Sequence, residues 1–535
     1  MFKKVVVLVL ALSMVLLAAA CGSPTPATSA PVTEAPASEA PASEAPASEA
    51  PAASDLAPYE ITYYMYSIKA SDQDTVVEEA INKIIQPKFN ATIDFIMIAG
   101  SDWDTKALVP LRAGEKIDIF WTPEWMYYMA NIANGSLMKL NDESGPYGSL
   151  IAPYTEMIEN LGAFIPGNMI DGNVYAISTK KELCVPGGLI WNQNEAEKYG
   201  IDIATVDTYE EIEPYLAQYK ADNPGYYPLN VTTGWSFASP FIQGYLNNMN
   251  PISMFIGEKG ATDGEPVLTW EQEGYKNHVA QMGKWFEAGY INPDSQLKTY
   301  ASSDELYAGH FLVTFDQVLK GGQVKAKELM SSSGNTELKL IEQQTSASVI
   351  VTTHLGGSML GIPVSSKDPE RAMMYLNEMH TNSEIINLMA WGVEGVHYTL
   401  DDQGRAVQKD MNGWSDSHGG KWTIGDQFKQ YVSNQEDPEK YQQMQALTDE
   451  AWMHESVGFR FKQDDYANEY AATYSVTDSL ERGIMSGVNA AGLEQLIQGY
   501  KDAGVESVIF PAVKEAYAAW KADQMAKNPN FPNLS

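Results

Sequence analysis

An alternation of hydrophobic periods between residues 59 and 121 restricts this chain more than any other feature. A stretch around 61–66 reads as a strand, and Val76, Val77, Ala80, Ile81, Ile84 and Ile85 then recur at helical spacing until Pro87. Ser71 and Asp74 stand at capping-box spacing before that stripe. Residues 92–98 read as a buried strand, 103–113 as a helix and 117–121 as another strand. Strand, helix, strand, helix, strand calls for a mostly parallel sheet with right-handed crossovers. In such α/β architectures ligands bind in a crevice beyond the carboxyl ends of the strands.

The pattern resumes further on. Asp171-Gly172, flanked by Met169-Ile170 and Val174-Tyr175, is a hairpin signal, and a second αβ series starts at 189–191. Thr208 and Glu211 form another capping box. Residues 311–315 read as a short strand ending at Asp316-Gln317. Asp368 before Pro369 opens a helix with Ala372, Met373, Leu376 and Met379 on one face, and a further helix runs from about Ser383 to Gly392.

The first 57 residues follow different rules. Lys3 and Lys4 precede an apolar core over 5–17 and a small-residue stretch, Ala18-Ala19-Ala20, directly before Cys21. This is a secretory signal with too short an apolar core for a stable span. A cysteine in that place resembles the lipobox of bacterial lipoproteins, which implies diacylation of the Cys21 thiol; Ala18 stands where leucine is usual. Residues 22–57 are almost entirely Pro, Ala, Ser, Thr and Glu, with Glu-Ala-Pro-Ala-Ser repeated from Glu34, Glu39 and Glu44. That composition has nothing to bury and favours an extended spacer.

Charge and cysteine count exclude several classes. With 35 Lys+Arg against 69 Asp+Glu, the formal charge of −34 repels nucleic acid and anionic lipid. Two cysteines, Cys21 and Cys184, cannot build a disulfide framework or a multi-cysteine metal site. His454-Glu455 continues as Ser456-Val457-Gly458, so the two-histidine zinc motif is missing, and Gly357-Ser358 lacks the second glycine of a nucleophile elbow. No cofactor motif occurs, and the chain reads as a non-enzyme. A glycosidase needs only two carboxylates, which keeps a surface-anchored glycoside hydrolase as the alternative, followed by a non-catalytic glycan-adhesion protein.

Several segments together resemble the extracellular solute-binding proteins of bacterial ABC importers, in particular the LipO-like lipoprotein branch of the family-1, sugar-type group. They are Ala113-Gly114-Glu115-Lys116-Ile117-Asp118-Ile119-Phe120-Trp121, Asp171-Gly172-Asn173-Val174-Tyr175-Ala176-Ile177, and Gly188-Leu189-Ile190-Trp191-Asn192 followed by Lys198-Tyr199-Gly200. The most specific runs from Gly361-Ile362-Pro363-Val364-Ser365 through Pro369-Glu370-Arg371-Ala372 to Trp391-Gly392-Val393-Glu394-Gly395-Val396-His397-Tyr398. The resemblance implies a two-lobe periplasmic-binding-protein-like (type II) fold with hinge strands and an interlobe cleft. It also implies a monomer that captures a carbohydrate outside the cytoplasmic membrane, held there only by its lipid, and delivers it to ABC permease subunits. The expected division is a signal peptide over 1–20, the lipidated cysteine and linker over 21–57, and a first lobe over 58–187. A second lobe over 188–355 follows, then a return to the first over 356–397 and a C-terminal region over 398–535 that belongs mainly to the second.

A sugar site needs aromatic faces for C–H-rich sugar faces and planar polar groups for hydroxyls. Trp121 and Trp125 lie at and just after a strand end, with Glu124 between them as a hydroxyl acceptor. Trp191 adjoins the expected hinge, Trp235 sits in the polar segment Thr232-Thr233-Gly234-Trp235-Ser236, and each is either cleft or core. Asp316 ends a strand; Gly357 and Ser358 either approach ligand or form a hinge turn; Trp391 and Glu394, with His397, are either ligand contacts or a structural lock.

Overall fold

The computed structural model describes residues 56–67, 71–184, 186–231, 245–249, 251–255, 264–297, 304–318, 323–409, 414 and 421–531. Its first sheet contains β1 (Tyr59–Ser67), β2 (Ala91–Ala99), β3 (Ile119–Trp121), β4 (Ala176–Ser178) and β13 (Met359–Gly361), in the order β2-β1-β3-β13-β4. β1 pairs in parallel with both β2 and β3, as the alternation of periods requires, whereas β13 runs antiparallel to β3 and β4. Along β1 every second side chain from Ile61 to Ser67 is buried, which gives the strand its period of two.

Local details depart from expectation for identifiable reasons. The first helix spans Asp74–Phe89 with Gln73 as its N-cap; Ser71 accepts a hydrogen bond from the Gln73 N–H instead of capping the helix. Pro87 lies inside the last turn and does not end it, because Asn90, at φ 47°, closes the turn through its N–H to the Gln86 carbonyl. The helix over 103–113 is broken at Ala107 into Trp103–Lys106 and Leu108–Ala113. Pro110 has no N–H to offer the preceding turn, which explains the break. The Thr208 capping box and the Asp368 N-cap form as read.

The second sheet contains β5 (Gly187–Asn192), β6 (Leu229–Asn230), β10 (Val313–Gln317) and β11 (Leu340–Gln344), in the order β11-β5-β10-β6. Here Asp316 and Gln317 belong to the strand instead of following it, paired with Gly188 and Gly187. Gly188 is required by contact: a Cβ there would lie 2.2 Å from the Gln343 carbonyl oxygen and 2.6 Å from a Val318 methyl. A smaller antiparallel sheet of β7 (Tyr245–Met249), β8 (Ile252–Phe255) and β9 (Pro266–Leu268) shares a core with the C-terminal helices Leu493–Asp502 and Phe510–Lys527. A hairpin of β14 (Tyr398–Leu400) and β15 (Ala406–Gln408) packs on the first core.

The chain passes between the two large sheets after β4, its described residues being 179–184 and 186, and back over 345–358. A third passage, after β16 (Trp452–Met453), leads into the C-terminal helices. The last two are joined: β12 (Val349–Ile350) pairs in parallel with β16, the Thr352 hydroxyl donates to the Ser456 carbonyl, and the Gly458 N–H donates to the Thr352 hydroxyl. The first core includes Tyr398, Ala406, Trp414, Ile424 and Val457, so the described stretch from 398 to 457 packs largely with the first sheet. Its apolar side chains after Tyr398 bury against the Ser383–Trp391 helix and the β2 side, whereas the helices that follow share the core of the smaller sheet. The architecture is two-lobed α/β. Among the described residues no helix is long and apolar enough to cross a membrane.

Candidate functional site

Because β1 and β3 are parallel neighbours, their carboxyl ends bring Tyr66 and Trp121 together, stacked at 4.5 Å between ring centroids and 30° between planes. Three more indoles meet Trp121 edge-on: Trp103 at 5.4 Å, Trp125 at 5.4 Å and Trp422 at 6.2 Å. Trp121 is 1% exposed, and its indole N–H donates to the Ser358 hydroxyl at 3.0 Å, which also accepts from Thr179 at 3.1 Å. Trp125 is 47% exposed, and its N–H donates to the Gly357 carbonyl at 2.8 Å. Trp121 is therefore the floor of an aromatic cluster, and Trp125 carries its open face. Tyr66 and Trp422 are half-buried beside it.

A polar frame surrounds this cluster. The Glu124 N–H donates to the Gly356 carbonyl at 2.9 Å, and its carboxylate meets Arg460 Nη2 at 3.0 Å. Arg460 also donates to Asn168 Oδ1 at 2.7 Å and to the Gly167 carbonyl at 2.9 Å. Asn168 in turn donates to the Ser178 hydroxyl and the Leu355 carbonyl. A Cβ at Gly356 would come within 2.7 Å of the Glu124 carboxylate, so the small residue there serves contact with Glu124. On the first crossing, Lys181 and Glu182 form a buried pair at 2.5 Å. Burial also pushes the Cys184 thiol up to about 12, which leaves it protonated and without nucleophilic character at neutral pH.

The structure thus gathers Trp121, Glu124, Trp125, Gly357 and Ser358 into one constellation. Asp316 lies in the second lobe at the carboxyl end of β10, 3.7 Å from Lys325 and beside the start of β5, where the first crossing arrives. Trp191 is fully buried in the second core, with its N–H on Gln343 at 2.8 Å, so it offers no face to a ligand in this conformation. Trp391 is likewise core, its N–H on the Tyr431 carbonyl and the Lys421 ammonium 3.8 Å from a ring centre. Glu394 is exposed in the following turn, where His397 accepts from the Val393 N–H and contacts Gln73; a Cβ at Gly392 would strike the His397 ring. Trp235 lies outside the described residues. Among the described residues no cluster of His, Cys, Asp and Glu has the makings of a metal site.

Sequence reasoning missed Tyr66, Trp422, Asn168 and Arg460. Tyr66 had a signal, as the penultimate residue of a strand whose parallel neighbour ends at Trp121. Trp422 and Arg460 reach the site from distant segments and had none.

Two α/β lobes joined by three chain passages, with a half-exposed aromatic cluster at the strand ends beside them, define a hinged solute-binding protein. The profile of the bacterial extracellular solute-binding protein family matches residues 80–396, and the chain belongs to that family. It is 24% identical over 476 residues to a carbohydrate ABC transporter substrate-binding protein of Streptococcus pneumoniae serotype 4, covering 88% of this chain and 91% of that one. The crystal structure of the N-glycan transport solute-binding protein NgtS of Streptococcus pneumoniae matches with a TM-score of 0.73 at 22% identity, over 88% of this chain and 100% of that one. The same protein in complex with Man5GlcNAc gives 0.66 at 22% identity over 88% and 99%. Alginate-binding protein AlgQ2 without calcium ion gives 0.59 at 14% identity over 86% and 98%.

Proposed function

We propose that this protein is the lipid-anchored substrate-binding component of an ABC importer, which captures an oligosaccharide outside the cytoplasmic membrane and closes its lobes on it. The observation that carries the reading is the half-exposed Trp125 indole, fixed by the Gly357 carbonyl and resting on the Trp121–Tyr66 stack. A pyranose presents an apolar C–H face that such a ring accepts, while its hydroxyls need the polar groups that frame the cluster. Glycan-binding proteins of the same fold, including one in complex with Man5GlcNAc, support oligosaccharide as the ligand class.

Trp125, with Glu124 and Gly357, then forms the first-lobe wall of the site over a buried support of Trp121 and Ser358, and Asp316 contributes from the second. Rotation about the three passages brings the walls together, and ligand contacts made only in the closed form shift the population toward it. Cys21 carries the anchor, and the monomer hands its cargo to membrane permease subunits. In this reading the protein leaves its ligand intact; at the cluster Glu124 pairs with Arg460, and on the first crossing Glu182 pairs with Lys181. The test is a thermal-shift screen against a glycan library, followed by long incubation of the hits and chromatography of the sugars. Stabilisation with intact glycans is expected; shorter products would overturn the receptor reading in favour of a hydrolase.

A further inference from the structure

We propose that Arg460 is a positioning residue for the ligand platform, tying the Trp125 segment to the third passage between the lobes. This rests on the reading of Trp125 as a ligand contact. Arg460 lies between two aromatic anchors of the C-terminal body: Phe459 packs on Tyr517 and Trp520, and Phe461 packs on Tyr466 and Tyr470. Its guanidinium nevertheless points the other way, into three acceptors of the first lobe: Glu124 Oε2 in the turn after β3, and Asn168 Oδ1 and the Gly167 carbonyl at the end of the Phe164–Gly167 helical turn. The side chain is 5% exposed and Glu124 14%, so the pair is shielded from solvent and little screened by salt.

The segment it holds needs outside support. Residues 122–127 connect β3 to the Tyr128–Ala133 helix with no regular structure, and Tyr127 adopts a left-handed φ of 64°, which is unfavourable for a residue with a Cβ. The half-exposed Trp125 ring is not fixed by packing alone. It depends on the Gly357 carbonyl, and the adjoining backbone depends on the Glu124 N–H to the Gly356 carbonyl. Removing Arg460 frees the Glu124 carboxylate to turn toward water, and with it the residue next to Trp125. A rigid planar fork reaches three acceptors at fixed angles, whereas lysine offers one flexible point charge, so Arg460→Lys is a disruptive change here despite its conserved charge.

The test uses the folded chain labelled with 5-fluorotryptophan and read by fluorine NMR without ligand, the Trp125 line being assigned through Trp125→Phe. In Arg460→Lys, and in the isosteric Glu124→Gln, the Trp125 line should move or broaden. The Trp285 line, from the second core, should stay in place. A Trp125 line unchanged from the parent in these variants would overturn the proposal. If Arg460→Lys fails to fold, Glu124→Gln decides alone, by the same criterion. The readout needs no sugar, so it stands apart from the function itself: a moved line with no glycan bound in the library screen would sink the ligand reading and leave the positioning role in place.

Discussion

Replacing Trp125 and Trp121 one at a time with alanine separates the binding surface from its support. A tryptophan side chain offers about 250 Å² of surface, and Trp125 is 47% exposed, which leaves ~120 Å² for a ligand. A sugar stacked on one face covers about half of that, and at ~25 cal/mol per Å² this is worth ~1.5 kcal/mol, or about a tenfold loss of affinity. The open side of the ring leaves no sealed cavity, so Trp125→Ala should cost only about 1–2 kcal/mol of stability. Trp121, with four aromatic neighbours and a hydrogen bond to Ser358, is a core residue, and Trp121→Ala should cost about 3–5 kcal/mol. The assay is calorimetric titration with a glycan from the screen, together with melting curves on the same preparations. A Trp125→Ala protein that binds as the parent does, or that melts as low as Trp121→Ala, would refute this division.

Other parts of the account have their own checks. Cys21→Ser should move the protein from the membrane fraction to the soluble fraction or the medium, since only that thiol can take the lipid; unchanged retention would contradict the anchor. Burial lowers the His278 pKa to about 4, against a partial opposing pull from the Met485 carbonyl. Between pH 6.5 and 4 the unfolded chain thus binds the extra proton, and stability present above 6.5 is lost as pH falls through that window. Chemical denaturation at about pH 7.5 and pH 5 should therefore show a loss that is ~2 kcal/mol smaller in His278→Gln than in the parent. Gly188→Ala should destabilise the second lobe by about 1–3 kcal/mol or more, measured by melting, because its Cβ meets backbone as well as Val318.

Much of the fold was legible in the sequence, because these elements are specified by local periodicity and caps: the parallel pairing of β1 with β2 and β3 and the Asp368 cap in the first lobe, and the Thr208 box in the second, all follow from neighbouring residues. Proline was the weaker guide, since Pro87 sits in a helix that Asn90 closes and Pro110 splits one that read as continuous. At the site, position relative to a strand end found Trp121, Glu124 and Trp125. Composition could not sort floor from face, because the difference between 1% and 47% exposure is set by partners far along the chain. Trp191 and Trp391 illustrate the same limit: each lies near a suggestive motif, yet each indole is satisfied inside a core. Arg460 was invisible because its three acceptors come from two segments 292 to 336 residues away in sequence.

The central claim is that the two lobes close on an oligosaccharide, and small-angle scattering tests it most directly. Curves of the protein with and without a saturating glycan from the screen should show a smaller radius of gyration in the complex, as rotation about the three passages narrows the cleft. An unchanged radius at saturation would contradict the account and point to a rigid carbohydrate-binding platform.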